Sequence, residues 1–388
     1  MRVRPIPRLL LVALVVTAGV VGCTVPVTDG GEPTVSNGTD VAPAPEPSAE
    51  SALVPTSVFV RVSDVIDDAQ LAALGEIPGV ESVTARREDD GALWSSRRSD
   101  GTPVDDLPEG FKISVALEVD RPALPVHPGP GEVVLTATGA THRDLDVGGV
   151  VELADRVERT VVAITDDPIL DDIEFVVAAQ DAASLSVRER QRGLLRLADG
   201  ADVKEVIRLT TDVLGPNAIV QERVAQDRPL VLSLPETKAR FGEFAFKDLD
   251  GRDIQIGASW IDEYVVKTEI PVIGRVVCNR LIIDDLTAVM QDIIDERLAD
   301  EIDPDLYGGC WAPRRINRNA NLSRHAWGIG IDINVDFEAP GLGPIPSDGV
   351  IAAFERHGFR WGGDYPIPDN HHFEWVGTDG DVAPGTPR

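Results

Sequence analysis

Alternating apolar and polar positions set the first expectations. Val58, Val60 and Val62 share one face of a short strand, and 67–74 has room for one or two helical turns before Gly75 and Pro78-Gly79. Residues 80–87 are strand-like again. A polar loop with Arg97, Arg98 and Asp100-Gly101 follows, and Ile113, Val115, Leu117 and Val119 mark another strand. Prolines crowd 122–130 and break the pattern. Beyond them, 133–138, 150–153, 157–165 and 173–178 read as strands, with Gly139, Gly148-Gly149 and Asp166-Asp167 as turns. Helical spacing is expected at 184–198, through Leu194, Leu195 and Leu197, and at 201–214, through Val203, Val206, Ile207, Thr210 and Leu214.

A further block starts near Leu234. Phe244 to Phe246 and Ile254 to Ile256 flank the hairpin turn Asp248-Leu249-Asp250-Gly251. Its aspartates lack the rest of a twelve-residue calcium loop. Residues 284–299 form an amphipathic helix with Leu286, Val289, Met290, Ile293, Ile294 and Leu298 on its core face.

The N-terminus reads differently. Arg2, Arg4 and Arg8 precede an apolar run over 9–22, the length of a signal h-region and too short to span a bilayer. It ends Val20-Val21-Gly22-Cys23, which resembles a bacterial lipobox; Cys23 then becomes the lipid-bearing first residue. The alternative, a buried apolar segment, has nothing nearby to pack into. Residues 24–55 hold prolines and acids but no Lys, Arg or aromatic, so they cannot bury enough apolar surface to offset chain entropy and read as a disordered tether. The expected address is extracytoplasmic, lipid-anchored at a bacterial cell membrane. Removing Cys23 leaves Cys278 and Cys310, a pair for a disulfide in an oxidising compartment or two free buried thiols.

Composition narrows function. The 388 residues carry a net charge of −29, which repels a phosphate backbone, and only 5% are aromatic, so nucleic-acid binding is not expected. At 43% hydrophobic residues the chain can bury a sizeable core. Residues 56–230 contain no nucleotide loop, Cys/His cluster or nucleophile elbow; His127 and His142 are isolated there and read as surface or loop histidines.

Chemistry concentrates at the C-terminus. From Gly328, Ile329, Ile331, Ile333 and Val335 alternate with Gly330, Asp332, Asn334 and Asp336, the pattern of a half-buried strand that turns Asp332 toward a face kept open by glycine. His325 stands just before it. A second cluster, Trp361-Gly362-Gly363-Asp364-Tyr365 and then Asp369-Asn370-His371-His372-Phe373-Glu374, offers a third ligand and a nearby carboxylate. Three protein ligands with an open position suit catalytic zinc. Singly, each residue also suits a structural role; the joint spacing favours a metal.

Ser323-x-His325-x-x-Gly328-x-Gly330-x-Asp332 resembles the S-x-H-x-x-G-x-A-x-D motif of the VanY-type D-alanyl-D-alanine carboxypeptidases and their L-alanyl-D-glutamate endopeptidase relatives. Asp369-x-x-His372-Phe373-Glu374 resembles their second motif. The resemblance spans about 234–378 and implies an α+β, hedgehog-like zinc peptidase domain with an antiparallel sheet. A separate β-rich α+β region at 56–230, with a break near 122–130 that offers a division into two subdomains, precedes it, and a tail at 379–388 follows. It further implies zinc on His325, Asp332 and His372, Asp369 as general base, and Arg314 (with Arg315 next in line) polarising the scissile carbonyl. Peptidoglycan stem peptides are the implied substrate. Gly330 departs from the family's alanine. Adjacent strand residues face opposite ways, so His371 and His372 are not both ligands of one metal; the three-residue spacing from Asp369 selects His372 and leaves His371 either to support the site from behind or, with Ser323, to touch substrate. A non-catalytic wall-binding lipoprotein with the same fold is the rival reading.

Overall fold

The computed structural model describes residues 57–378, apart from 63–64, 108–109, 119–123, 125, 167–169, 171–172, 186, 188–191, 224–230, 317–320, 337–342 and 366–367. The expected export signal, Cys23, the tether, the C-terminal tail and much of the proline-rich break lie outside the described residues. No helix among the described residues is long and apolar enough to cross a membrane.

The architecture is mixed α and β with several sheets, most pairings antiparallel, and fits an α+β class. A ten-stranded sheet fills the N-terminal part, organised by one long strand, Val80–Arg97. Its first half pairs with Arg192–Leu197, which pairs in turn with Ser57–Arg61. Its second half pairs with Lys112–Glu118 and, from Leu93, with Val150–Leu153. Lys112–Glu118, Phe175–Val177, Glu132–Thr136, Glu158–Thr165 and Val150–Leu153 then close back onto Val80–Arg97 as a ring of six strands. Two apolar cores result. One gathers Val58, Val60, Leu74, Leu195 and Val206; the other gathers Leu93, Val133, Leu135, Val151 and Phe175.

Three local expectations need correction. The 184–198 segment is not helical at its C-terminal end: Arg192–Leu197 is a strand between two neighbours. Its short apolar run fits either period, and pairing on both sides decides. The strand expected at 133–138 stops at Thr136, whose Oγ1 accepts from Gly139 N and caps the helix Ala137–Arg143. His142 therefore sits on a helix, 3.6 Å from Glu243, and not in a loop. On the helix Ile283–Asp295, Leu286, Val289, Met290 and Ile293 are buried as expected, but Ile294 is exposed.

The C-terminal part starts at the helix Leu234–Phe241, set by the Ser233–Glu236 capping box and Pro235 in its first turn. Its central feature is a three-stranded antiparallel sheet in which His372–Trp375 lies between Gly330–Asp332 and Phe359–Trp361. The helices Ile283–Asp295 and Asp348–Arg356 supply Leu286, Met290, Val350 and Phe354 to its core. That core does not stop at residue 234. Ile113, Val115, Val134, Ile173 and Val176 belong to it, and Phe111 and Phe246 exchange backbone hydrogen bonds.

Candidate metal centre

Two backbone devices bring the histidines together. Ser323 Oγ accepts from His325 N and starts the turn Arg324–Trp327, which Gly328 ends in left-handed backbone at φ 67°. A Cβ on Gly328 would stand 2.7 Å from Asn279 N, so shape and conformation both call for glycine. The chain then enters Gly330–Asp332, where the antiparallel register sets Asp332 opposite His372 and Gly330 opposite Glu374. The expected alternation ends soon after. Asn334 has φ 51° and donates its amide to Glu301 O, so the outward face stops at Asp332.

His325, Asp332 and His372 are all buried, and one ligand atom from each lies within 4.8 Å of the others. His372 Nδ1 is 2.8 Å from Asp332 Oδ1, His325 Nε2 is 3.2 Å from Asp332 Oδ2, and the two ring nitrogens are 3.3 Å apart. Gly330 makes this approach possible: a Cβ there would lie 2.8 Å from His372 Cε1 and 3.2 Å from His325 Nε2. An alanine at this position needs the rings to shift.

Each imidazole is oriented from behind. His325 Nδ1 faces Cys310 O at 2.7 Å; a carbonyl only accepts, so Nδ1 carries a proton and Nε2 is the nitrogen turned toward the cluster. His372 Nε2 faces Glu374 Oε2 at 3.7 Å, and Tyr365 Oη donates to that oxygen at 3.3 Å. Carboxylate and carbonyl partners of this kind fix the tautomer of metal-binding histidines. Burial alone would lower the His372 pKa, but Asp332 and Glu374 outweigh it and raise it to about 10. Burial likewise opposes ionisation of Asp332, yet the hydrogen bonds from His325 and His372 hold it well below the usual carboxylate range. The three side chains lie close enough together for one ion to meet all of them. Two imidazoles and a carboxylate are ligands that zinc accepts, so these residues can hold that ion.

The other expected site residues divide. Arg314 Nη2 lies 4.0 Å from Asp332 Oδ2, whereas Arg315 turns away and binds Asp248 through Nε at 2.6 Å. Burial and the neighbouring Arg252 lower the Arg314 pKa. Asp369 is set by its backbone, its N–H donating to Gly362 O at 2.9 Å and its carbonyl accepting from His372 N at 3.1 Å. His371 does not join the cluster; its Nε2 stands 3.1 Å from Asp369 Oδ1. The Ser323 Oγ is used as the cap of the His325 turn. Cys278 and Cys310 are joined as a disulfide with Cα atoms 5.2 Å apart. Tyr307 was not foreseen. Its hydroxyl is buried with no hydrogen-bond partner among the described residues, and burial and the Asp332 charge raise its pKa.

A second group, His142, Glu174 and Glu243, also meets a metal-ligand spacing. Its carboxylates already face Arg143 and Lys238, at 2.8–3.1 Å, which leaves no need for a cation.

Residues 317–375 match the family model described as D-alanyl-D-alanine carboxypeptidase. The match covers both motifs, in keeping with a VanY-type domain in the C-terminal region. No curated protein matches the chain. Among solved structures, the periplasmic region of MacB from Actinobacillus actinomycetemcomitans is similar at 10% identity, with 45% of this chain and 92% of that one covered and a TM-score of 0.30. The extracellular domain of the noncanonic ABC-type transporter YknZ from Gram-positive bacteria is similar at 10% identity, with 42% and 99% covered and a TM-score of 0.27.

Proposed function

We propose that this chain is an extracytoplasmic zinc peptidase of peptidoglycan stem peptides that cleaves the terminal D-alanyl-D-alanine bond. Its C-terminal domain would be hedgehog-like, and a lipid on Cys23 would hold it to the bacterial membrane. The observation that carries this reading is the convergence of His325, Asp332 and His372, buried and oriented from behind, with the Arg314 cation and the Glu374 carboxylate nearby. A bland core would not place three ionisable groups around one point. The family match to residues 317–375 supports the same reaction class.

When bound, a zinc ion supplies Lewis acidity toward water and a carbonyl oxygen. The chain does the rest. Asp369 takes the proton of the attacking water and returns it to the leaving amine. Arg314 donates to the carbonyl oxygen as negative charge develops there. Cys310 O and Glu374 hold the two imidazoles still.

The test is mass spectrometry of muropeptides incubated with the zinc-loaded full chain. Loss of one D-alanine from pentapeptide stems is expected. Release of everything beyond L-alanine would instead assign the L-alanyl-D-glutamate bond. Unchanged muropeptides, with zinc confirmed bound, would favour a binding protein.

A further inference from the structure

The sequence places two histidines side by side, and the cluster uses one. His371 is buried in the turn just before the strand His372–Trp375, and its ring does not join the cluster. It lies instead against Asp369, a carboxylate 40% exposed, with Nε2 3.1 Å from Oδ1. That oxygen is buried and has no hydrogen bond of regular geometry, which leaves Oδ2 to face solvent.

The backbone around the pair is fixed at several points. Asp369 N donates to Gly362 O, Trp361 Nε1 to Asn370 O at 2.9 Å, Asn370 Nδ2 to Gly343 O at 3.1 Å, and Ile333 N to His371 O at 3.0 Å. The main chain at 369–372 is thus held on both sides. What remains free is rotation of the Asp369 carboxylate about its own side-chain bonds. An acid that must meet a water at one angle loses rate when it rotates.

We propose that His371 is a positioning residue for Asp369: its buried Nε2–H engages Oδ1 and aims Oδ2 at the reacting water. The proposal rests on the reading of Asp369 as general base. It assigns no ligand role to His371 and no contact with the reacting atoms. A group that orients a catalytic carboxylate affects turnover and leaves ground-state binding alone.

The experiment uses the zinc-loaded full chain, with muropeptide turnover and zinc content measured together. His371→Ala should keep its zinc and its KM while kcat falls about 10–100-fold, the usual cost of losing an outer-sphere partner. His371→Gln, whose amide N–H can reach a similar point, should recover most of the loss. Wild-type kcat in the alanine variant overturns the proposal. So does loss of zinc, or a well-folded glutamine variant as slow as alanine. If the wild-type chain cuts no muropeptide, the reaction assignment has failed and the pairing is judged separately. In the metal-free protein, Asp369→Asn should shift the imidazole nitrogen resonances of His371 and leave those of His357 in place. Unshifted His371 signals overturn the pairing itself.

Discussion

The carbonyl oxygen of Cys310 accepts the Nδ1 proton of His325 at 2.7 Å, while the sulfur of the same residue is bonded to Cys278. One residue therefore closes a covalent loop and sets the tautomer of a candidate ligand. Strand Gly274–Asn279 carries Cys278, and Trp311 N donates to Val277 O beside the bridge, so the carbonyl is held on two sides. Fold stability and metal affinity are linked through this point.

Breaking the bridge should thus have two effects. The loop spans 32 residues, and loop entropy gives a loss of roughly 3–4 kcal/mol in unfolding free energy for Cys278→Ser/Cys310→Ser. Zinc affinity should fall as well, since the His325 ring loses a fixed acceptor. Denaturant unfolding and competition with a chelator measure the two. A double mutant that is less stable but binds zinc as the wild type does would separate the bridge from the site.

Ligand and base should fail differently. His325→Ala and His372→Ala should both lose stoichiometric zinc. Asp369→Asn should keep zinc and fold while turnover drops by roughly 10²–10⁴, the usual cost of losing a general base. Metal analysis beside muropeptide turnover decides. Zinc lost from the asparagine variant would recast Asp369 as a ligand.

Of this site, the sequence carried the three side chains that cluster and little of their support. His325, Asp332 and His372 were legible because a turn, a strand and a fixed spacing are local patterns. Glycine at 330 announced open space, and the structure fills that space with two imidazole rings. Tyr307 was not legible: its place depends on its neighbour Gly308, whose N–H donates to Asp332 O, a contact that no local pattern encodes. The same limit applies to the N-terminal sheet. Its strands could be read singly, but the pairing of Leu93 with Leu153 that closes the ring is long-range. Leu194, Leu195 and Leu197 suited a helix until neighbours on both sides made them a strand.

The two arginines offer a sharper comparison. Arg314 stands 4.0 Å from Asp332, and Arg315 pairs instead with Asp248, an exposed partner. Arg314→Ala should lower kcat by about 10²-fold or more, in the range for losing one oxyanion donor. Arg315→Ala should leave kcat unchanged, its cost falling on stability alone through the lost Asp248 pair and the lost packing on the Phe246 ring. Equal losses of kcat in the two variants would contradict this division.

Proton and metal compete for His372. Its folded pKa of about 10 lies above the ordinary imidazole value, so the protonated ring stabilises the metal-free fold. That contribution is complete below about pH 6.5 and is lost as pH rises toward 10. The melting temperature of chelator-treated protein should therefore fall over this interval. Zinc needs the neutral ring, so its affinity should rise over the same interval and binding should release a proton. Calorimetry in buffers of different ionisation enthalpy counts that proton. A metal-free protein whose melting temperature rises between pH 7 and 9 would contradict the sign.

The last prediction concerns the charges that join the two parts of the chain. Arg143 and Lys238 are buried with Glu174, and both cations also meet Glu243, while Lys112 binds Asp105 at 2.5 Å and Glu243 at 3.1 Å. Glu174 stays ionised despite burial because Arg143 and Lys238 lie against it. Three cations thus face three carboxylates inside the protein. Removing one member leaves an uncompensated buried charge, which costs about 3–5 kcal/mol. Lys238→Met and Glu174→Gln should each destabilise the chain by about that much, and the double replacement by clearly less than their sum. Because Glu174 precedes residue 230 and Lys238 follows it, both single variants should unfold the C-terminal site together with the N-terminal sheet. Denaturation followed by tryptophan fluorescence and by zinc release should give one coincident transition. Additive losses, or two separate transitions in the wild type, would show that this cluster does not couple the two parts.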